Sequence, residues 1–365
     1  MSTTQRRDLP WLEQRSHEVI TRLQAANGAY PASPTFSAYQ GYCWFRDGSF
    51  IADGMSAAGA AGSATAFHDW CAEVVQRHAP TIRRAVDAAA AGTPLPGSQM
   101  LPARFTMDGD LGDDEWWDFQ LDGYGTWLWA VAEHAGRHHL DPGRWRPAAE
   151  LVVDYLLSSW RRPCYDWWEE HSEQVHVSTL GCIAAGLRRA VSDGLVDGDR
   201  ARRASEAADT IVGLIERDGV ADGHLTKWLG TNAVDASLCS LIAPLGLFPA
   251  DSDLARRTIA AVEGQLCVDG GVYRFRADTY FGGGRWPLLS CFLGLAKAAG
   301  GDTDDARVLL DWAAATGTDE GYLPEQVDGH LLDPGYRQEW LDRWGPVATP
   351  LLWSHAMLLR LAAEL

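Results

Sequence analysis

The sequence predicts an all-α fold, an (α/α)6 barrel built from six helical hairpins, and three observations predict it. Helical periodicity runs the length of the chain while strand alternation is nearly absent. The helical segments alternate in character: odd-numbered ones are amphipathic and charged, even-numbered ones almost uncharged and rich in small residues. The connections alternate as well, long into the even segments and short out of them.

About twelve helical segments are read, at 11–26, 46–60, 63–91, 122–137, 145–160, 175–191, 198–217, 231–244, 252–267, 286–299, 303–316 and 348–364. The first shows the logic: Leu12, Val19, Ile20 and Leu23 form one apolar stripe, and Asn27-Gly28 supplies a stop. ARRASEAADTIVGLIER at 201–217 and DDARVLLDW at 304–312 have a charged face and belong outside. STLGCIAAGL at 178–187 and WPLLSCFLGLA at 286–296 are apolar all round, the signature of buried helices, so the even segments form an inner ring. Long loops such as 92–121 and 317–347 then open together at one end, which is the expected working face. No repeat of fixed length is visible, which disfavours a solenoid. One catalytic domain spanning 1–365 is expected, with no N-terminal β-sandwich.

Composition narrows the class of ligand. A net charge of −18 over 365 residues argues against nucleic acid, whose phosphates require a basic surface. No run of 18 apolar residues is present, so no membrane span is expected. MSTTQRRDLPWLEQ at the N-terminus lacks the apolar core of a signal peptide, and the seven Cys include no CxxC pair. Buried free thiols and a cytoplasmic location are expected. The 17 Trp are many, and a number of them sit in polar, Gly-rich stretches, where an indole face can stack on the apolar face of a sugar ring.

Four long loops gather acids, Arg and aromatics: YCWFRDG at 42–48, PCYDWWEEH at 163–171, YRFRADTYFGGGRW at 273–286 and YLPEQVD at 322–328. Glycoside hydrolysis needs two carboxyl groups flanking the scissile bond, one protonated and one ionised. A carboxyl packed on Trp is desolvated, which raises its pKa and suits it to the acid role; Glu169 beside Trp168 fits. Glu325, in a separate loop, is the candidate ionised partner. Other signals are read as structural. His134 and His138 are placed on a surface helix rather than at a metal, and DGDLGDDE at 108–115 is a solvated acidic loop without calcium-loop spacing. The glycines at 282–284 give backbone clearance near the sugar site, and Lys227 and Trp228 are candidates for the pocket wall.

Taken in order, these motifs resemble glycoside hydrolase family 15, the glucoamylase family, whose catalytic domain is an (α/α)6 barrel. YDWWEE at 165–170 is similar to its general-acid loop, which implies Glu169 as the acid and Glu170 as a sugar contact. PEQVD at 324–328 is similar to its general-base loop, which implies Glu325 as the base. Trp44, Arg46 and Asp47 match the motif that holds the terminal glucose; Arg274, Asp278 and Trp286 match the loop with a second sugar-binding Arg. WWDFQLDG at 116–123 resembles the segment with a stacking Trp, here Trp116, and Trp168 adjoins the acid. WSHA at 353–356 also looks family-like.

One departure concerns the family Tyr near the attacking water, which stands six residues before the Arg of the first motif. Here that position is Gln40, with Tyr39 one residue earlier as the candidate second base or water-positioning group. The resemblance implies an inverting, exo-acting α-glucosidase that releases β-glucose from short α-glucosides and needs no cofactor or metal. Isomaltose and isomalto-oligosaccharides are the first choice of substrate, with α-1,4 malto-oligosaccharides and trehalose as alternatives. A monomer acting on a small oligosaccharide is expected. The rivals are a uronyl hydrolase or lyase on the same barrel, and an inactive sugar-binding protein.

Overall fold

The computed structural model describes residues 8–113, 116 and 119–365; parts of the 108–115 stretch and of the WWDFQLDG segment lie outside the described residues. The chain runs α1 (Leu9–Leu23), β1 (Tyr42–Trp44), α2 (Phe45–Ala57), α3 (Ala61–Arg77), α4 (Ala79–Ala90), β2 (Arg104–Thr106), α5 (Asp122–Arg137), α6 (Arg146–Ser159), α7 (Val177–Ser192) and α8 (Gly198–Asp218). A hairpin of β3 (Val220–Ala221) and β4 (His224–Leu225) leads to a 3-10 segment at Ala236–Leu241, then α9 (Asp253–Leu266), β5 (Cys267–Val268), β6 (Gly271–Tyr273) and β7 (Arg285–Trp286). The chain closes with α10 (Pro287–Ala299), α11 (Thr303–Ala315), α12 (Arg337–Trp344) and α13 (Leu352–Ala362).

Six buried segments make the inner ring. α2 packs on α5, α5 on α7, α7 on the 236–241 segment, that segment on α10, α10 on α13, and α13 back on α2. The last contact closes the circle, which separates a barrel from an open solenoid. α1, α3, α6, α8, α9 and α11 lie outside and bury only one stripe each. The barrel centre is filled rather than hollow. Phe50 of α2 stacks on Trp353 of α13 (5.5 Å, 10° between planes) and meets Trp129, Trp167 and Phe292 at 5.1–5.9 Å. That aromatic plug gives any cavity at the loop end a floor.

Two segments differ from the sequence reading, each because of a proline. The stretch 63–91 is two helices, α3 and α4, broken at His78 (φ −93°, ψ 13°). Pro80 lacks the N–H and crowds the preceding turn. The stretch 231–244, expected as the fourth inner helix, forms only the 3-10 segment. Asp235 caps its start through the Ser237 N–H, and Pro244 disfavours helical geometry at Ala243, leaving too few residues to nucleate an α-helix. In the opposite sense, the 317–347 loop contains α12, a short helix between Pro334-Gly335 and Gly345-Pro346. His134, expected on a surface, is fully buried, and its ring bonds Ser56 Oγ (2.9 Å) and Thr65 Oγ1 (2.8 Å). His134 lies on inner helix α5, which packs on both α2 and α3, and its ring meets hydroxyls from both. All seven Cys are unpaired thiols, six of them buried.

The α5–α7 contact is close because both helices present glycine. A Cβ at Gly186 would stand 2.2 Å from the Gly125 carbonyl oxygen, whereas one at Gly213 on the outer face of α8 would meet nothing within 4 Å. Gly186→Ala should therefore destabilise the protein by about 1–3 kcal/mol through overpacking. Gly213→Ala should stabilise it by up to about 1 kcal/mol through helix propensity. Thermal denaturation of the two variants checks this, and shifts of the same sign would contradict the inner and outer assignment of these helices.

Candidate active site

The long loops meet over the plug in a blind cavity of about 280 Å³, whose lining is dominated by aromatic rings and includes four charged side chains from the first two motifs. Its floor comes from β1 and the first turn of α2. β1 pairs with β2 through Trp44 and Arg104, which fixes Trp44 before the chain turns into the helix. Arg46 is 5% exposed. Its Nη1 donates to Gln120 Oε1 (2.8 Å) and Asp122 Oδ2 (3.1 Å), its Nη2 lies 3.2 Å from Asp47 Oδ2, and its guanidinium stands over the Trp353 ring. Burial pushes the Asp47 carboxyl up to about 6 against the pull of Arg46. Arg46 Nε and Asp47 Oδ2 have no hydrogen-bond partner among the described residues, so a donor and an acceptor are left for ligand hydroxyls.

Glu169 stands on a tight turn closed by Asp166. Asp166 Oδ1 accepts the N–H of Trp168 and of Glu170 (2.9 Å each), and its carbonyl accepts from Glu169 N. Glu169 has φ 63°, an uncommon left-handed conformation for a residue with a Cβ, and it persists because these bonds over-determine the turn. The indole bonded to Glu169 is that of Trp44, whose Nε1 donates to Oε1 at 2.6 Å; Trp168 instead turns its Nε1 to Asp235. The Glu169 carboxyl is raised by burial, with Arg46 at 4.0 Å and the Trp44 bond pulling the other way. The desolvation expected from Trp168 thus comes from the whole enclosure.

Glu325 reaches the same cavity from a separate loop and is 1% exposed. Its loop is pinned by the last helix. Glu325 N donates to Ala348 O, Ser354 Oγ donates to Pro324 O (2.8 Å), and Leu323 N donates to His355 Nε2 (3.0 Å). His355 is held neutral, down to about 3, by burial, so its proton lies on Nδ1 toward Ser16 Oγ (2.8 Å). This is what WSHA does in three dimensions. Tyr39 donates its hydroxyl to Glu325 Oε1 at 2.7 Å, while Gln40 turns away to Pro34 O. Tyr280, which the sequence reading did not single out, places its hydroxyl 3.3 Å from that of Tyr39. Glu325 Oε2 is buried without a partner among the described residues. Burial pushes the carboxyl up to about 7, with the tyrosine hydroxyls and Arg274 opposing. A carboxylate so raised is a stronger base than an ordinary glutamate.

Arg274 also lines the cavity, against the rings of Trp168, Tyr280 and Trp286, and reaches Glu170 Oε1 at 3.0 Å. Asp278 does not line the cavity; it grips Arg274 from behind, at 2.8 Å from Nε. The glycines at 282–284 do not line it either. A Cβ at Gly284 would collide with Gln326 Oε1 and the Val327 carbonyl, so the clearance serves the Glu325 loop. Lys227 and Trp228 are likewise outside the lining. Tyr39, Trp44, Arg46, Asp47, Trp116, Trp168, Glu169, Glu170, Arg274, Trp286 and Glu325 all face the one cavity. The reading missed the mouth. Arg104 is sandwiched between Tyr42 (3.6 Å) and Trp116 (4.1 Å), and α12 brings Trp340 against Tyr280 and Trp344 against Phe36 and Trp116. The Trp pair at i, i+4 in QEWLDRW was the available signal.

Comparison with known proteins gives a consistent picture. The model of the family described as Glycosyl hydrolases family 15 matches residues 12–322. An isomaltose glucohydrolase from Kribbella flavida is 54% identical over 358 residues, covering 97% of this chain and 92% of that protein. A glycosidase variant solved in complex with glucose superposes with a TM-score of 0.95 at 53% identity, covering 98% of this chain and 96% of that one. A trehalase from Mycolicibacterium smegmatis is 28% identical over 299 residues, covering 74% of this chain and 44% of the trehalase.

The electrostatics of Glu325 make a stability test. Its carboxyl rises from 4.5 to about 7 on folding, so folding is favoured by the protonated form below 4.5, and that advantage is lost as pH rises through about 7. Glu325→Gln removes the cost of burying the charge. It should melt higher than the parent at pH 8, by a margin on the order of 3 kcal/mol at most, and the gap should close toward pH 4.5. Melting curves across that range check it; a gap independent of pH would contradict the buried, raised carboxyl.

Proposed function

The chain belongs to glycosyl hydrolases family 15, and for this glycoside hydrolase we propose an inverting, exo-acting α-glucosidase that releases β-glucose from isomaltose and short isomalto-oligosaccharides. The observation that carries the reading is a pair of glutamates from separate loops, the half-buried Glu169 and the buried Glu325, facing one cavity whose floor holds Arg46 and Asp47.

In this mechanism glucose enters until the aromatic plug stops it, which restricts cleavage to the chain end. Arg46 and Asp47 take its hydroxyls, and Glu170 with Arg274 contacts the sugar near the scissile bond. Glu169, whose carboxyl burial raises, gives its proton to the glycosidic oxygen as that oxygen's bond to the anomeric carbon breaks and the remaining sugar leaves. Glu325 takes a proton from water, the water oxygen attacks the anomeric carbon from the opposite face, and the anomeric configuration inverts. Tyr39 holds Glu325 Oε1, which leaves Oε2, without a hydrogen-bond partner among the described residues, to take the proton. Asp278 acts on the sugar only through Arg274.

Substrate length follows from the mouth. Trp116, Trp340 and Trp344 line the cavity, with Trp116 and Trp344 in edge contact, and a cavity of about 280 Å³ suits a short substrate. The α-1,6 preference is supported by the Kribbella flavida relative. A trehalase and α-1,4 glucoamylase activity are the alternatives that a substrate panel separates. The reading takes residues 1–365 as one catalytic domain acting in the cytoplasm, which the unpaired buried thiols support.

Incubation with isomaltose, maltose, panose and trehalose, followed by proton NMR in the first minutes, tests the proposal. Isomaltose should be cleaved fastest and the β-anomer of glucose should appear first. Glu169→Gln and Glu325→Gln should each lower kcat on isomaltose by about 10²–10⁴-fold while remaining folded. Initial release of α-glucose, or near-normal turnover by Glu325→Gln, would overturn the mechanism.

A further inference from the structure

A buried ion cluster lies behind the acid loop and outside the cavity. Lys227 Nζ is 2.9 Å from Asp166 Oδ2 and 2.6 Å from Asp235 Oδ2, and all three side chains are 3% exposed. The ammonium also sits 3.8 Å from the centre of the Phe275 ring. Lys227 has no freedom to move away. Its backbone N–H donates to Ala233 O, and its carbonyl accepts the Val177 N–H at the first turn of α7.

Each carboxylate also holds one part of the acid loop, Asp166 through the oxygen the Lys leaves free and Asp235 through the oxygen they share. Asp166 Oδ1 takes the N–H groups of Trp168 and Glu170, which flank Glu169 in its left-handed turn. Asp235 takes Trp168 Nε1 at 2.9 Å, together with Ser237 N and Oγ. The Trp168 ring packs on Trp286 in the cavity wall. One cation therefore locks both the turn and the ring beside it. Without the cation, two desolvated carboxylates would face each other uncompensated, and the turn would have to shift or one acid take a proton.

We propose that Lys227 is a positioning residue for leaving-group protonation, tying Asp166 to Asp235 so that the Glu169 turn and the Trp168 ring stay fixed against the glycosidic oxygen. The inference rests on Glu169 being the general acid. Lys227 touches no substrate, so its effect is confined to the step that needs an accurately placed proton donor. A misplacement of about 1 Å costs up to about 100-fold in such a step.

The test compares the full chain and its variants on isomaltose and on α-glucosyl fluoride, whose fluoride departs with little need of a proton. Lys227→Met should lose about 10–100-fold in kcat on isomaltose, less than about threefold on the fluoride, and leave KM nearly unchanged on both. Lys227→Met combined with Asp235→Asn restores the buried charge balance without restoring the tie. It keeps a folded protein available for the measurement and should show the same contrast between substrates. Equal losses on the two substrates would overturn the positioning role and leave Lys227 as general support for the fold. Glu169→Gln separates this from a failure of the underlying reading. It should show the contrast more strongly than any Lys227 variant, and equal losses in Glu169→Gln itself would instead remove Glu169 from the acid role.

Discussion

The structure depends first on the contacts of one buried guanidinium. Arg46 stands at the start of α2, bonds Gln120 and Asp122 at the start of α5, faces Asp47, approaches Glu169, and lies over Trp353 of α13. It therefore joins three inner helices to the acid loop at the point where the loops converge. A charge this deep is tolerable only when surrounded by acceptors, and the acceptors gathered for that purpose are the groups that make the floor of the cavity. Fold and site share one electrostatic solution.

The same logic runs around the ring. The inner helices α2, α5, α7, α10 and α13 all begin at the loop end, so the positive ends of their dipoles point toward the cavity. That arrangement suits a basin rich in carboxylates. Within it, the two glutamates are raised by one cause, burial, and differ in what opposes it. Glu169 meets an indole N–H and the Arg46 guanidinium; Glu325 meets tyrosine hydroxyls and the Arg274 guanidinium, and its Oε2 has no hydrogen-bond partner among the described residues. A carboxyl with a free, desolvated oxygen is costly for stability, and it is also the group best placed to take a proton from water.

Support for these two residues comes from outside the cavity. α13 holds the Glu325 loop through Ser354 and His355, and Gly284 leaves room for the Gln326 side chain and the Val327 carbonyl. Asp166, with Lys227 behind it, holds the Glu169 turn. The mouth is built separately, from α12 and from an Arg104 sandwich, so its shape can vary without disturbing the chemistry below.

Sequence alone determined the ring, because burial leaves a direct mark in composition: a helix packed on all sides loses its charges and gains small residues, as STLGCIAAGL does. It also determined which loops carry the candidate acids, since ordered motifs of Trp, Arg and Glu are readable as strings. Tertiary structure decided what each residue touches. The indole on Glu169 belongs to Trp44, over a hundred positions away, and not to adjacent Trp168; Tyr39 rather than Gln40 reaches Glu325; His134 is interior; Lys227 stands behind the cavity. Adjacency along a turn says little about side-chain direction, and a left-handed residue such as Glu169 reverses the direction a reader would assume. The short α12 escaped notice for a related reason: its persistence comes from indoles packed against Tyr280, Phe281 and Phe36, contacts with distant segments that eight residues of local pattern do not encode.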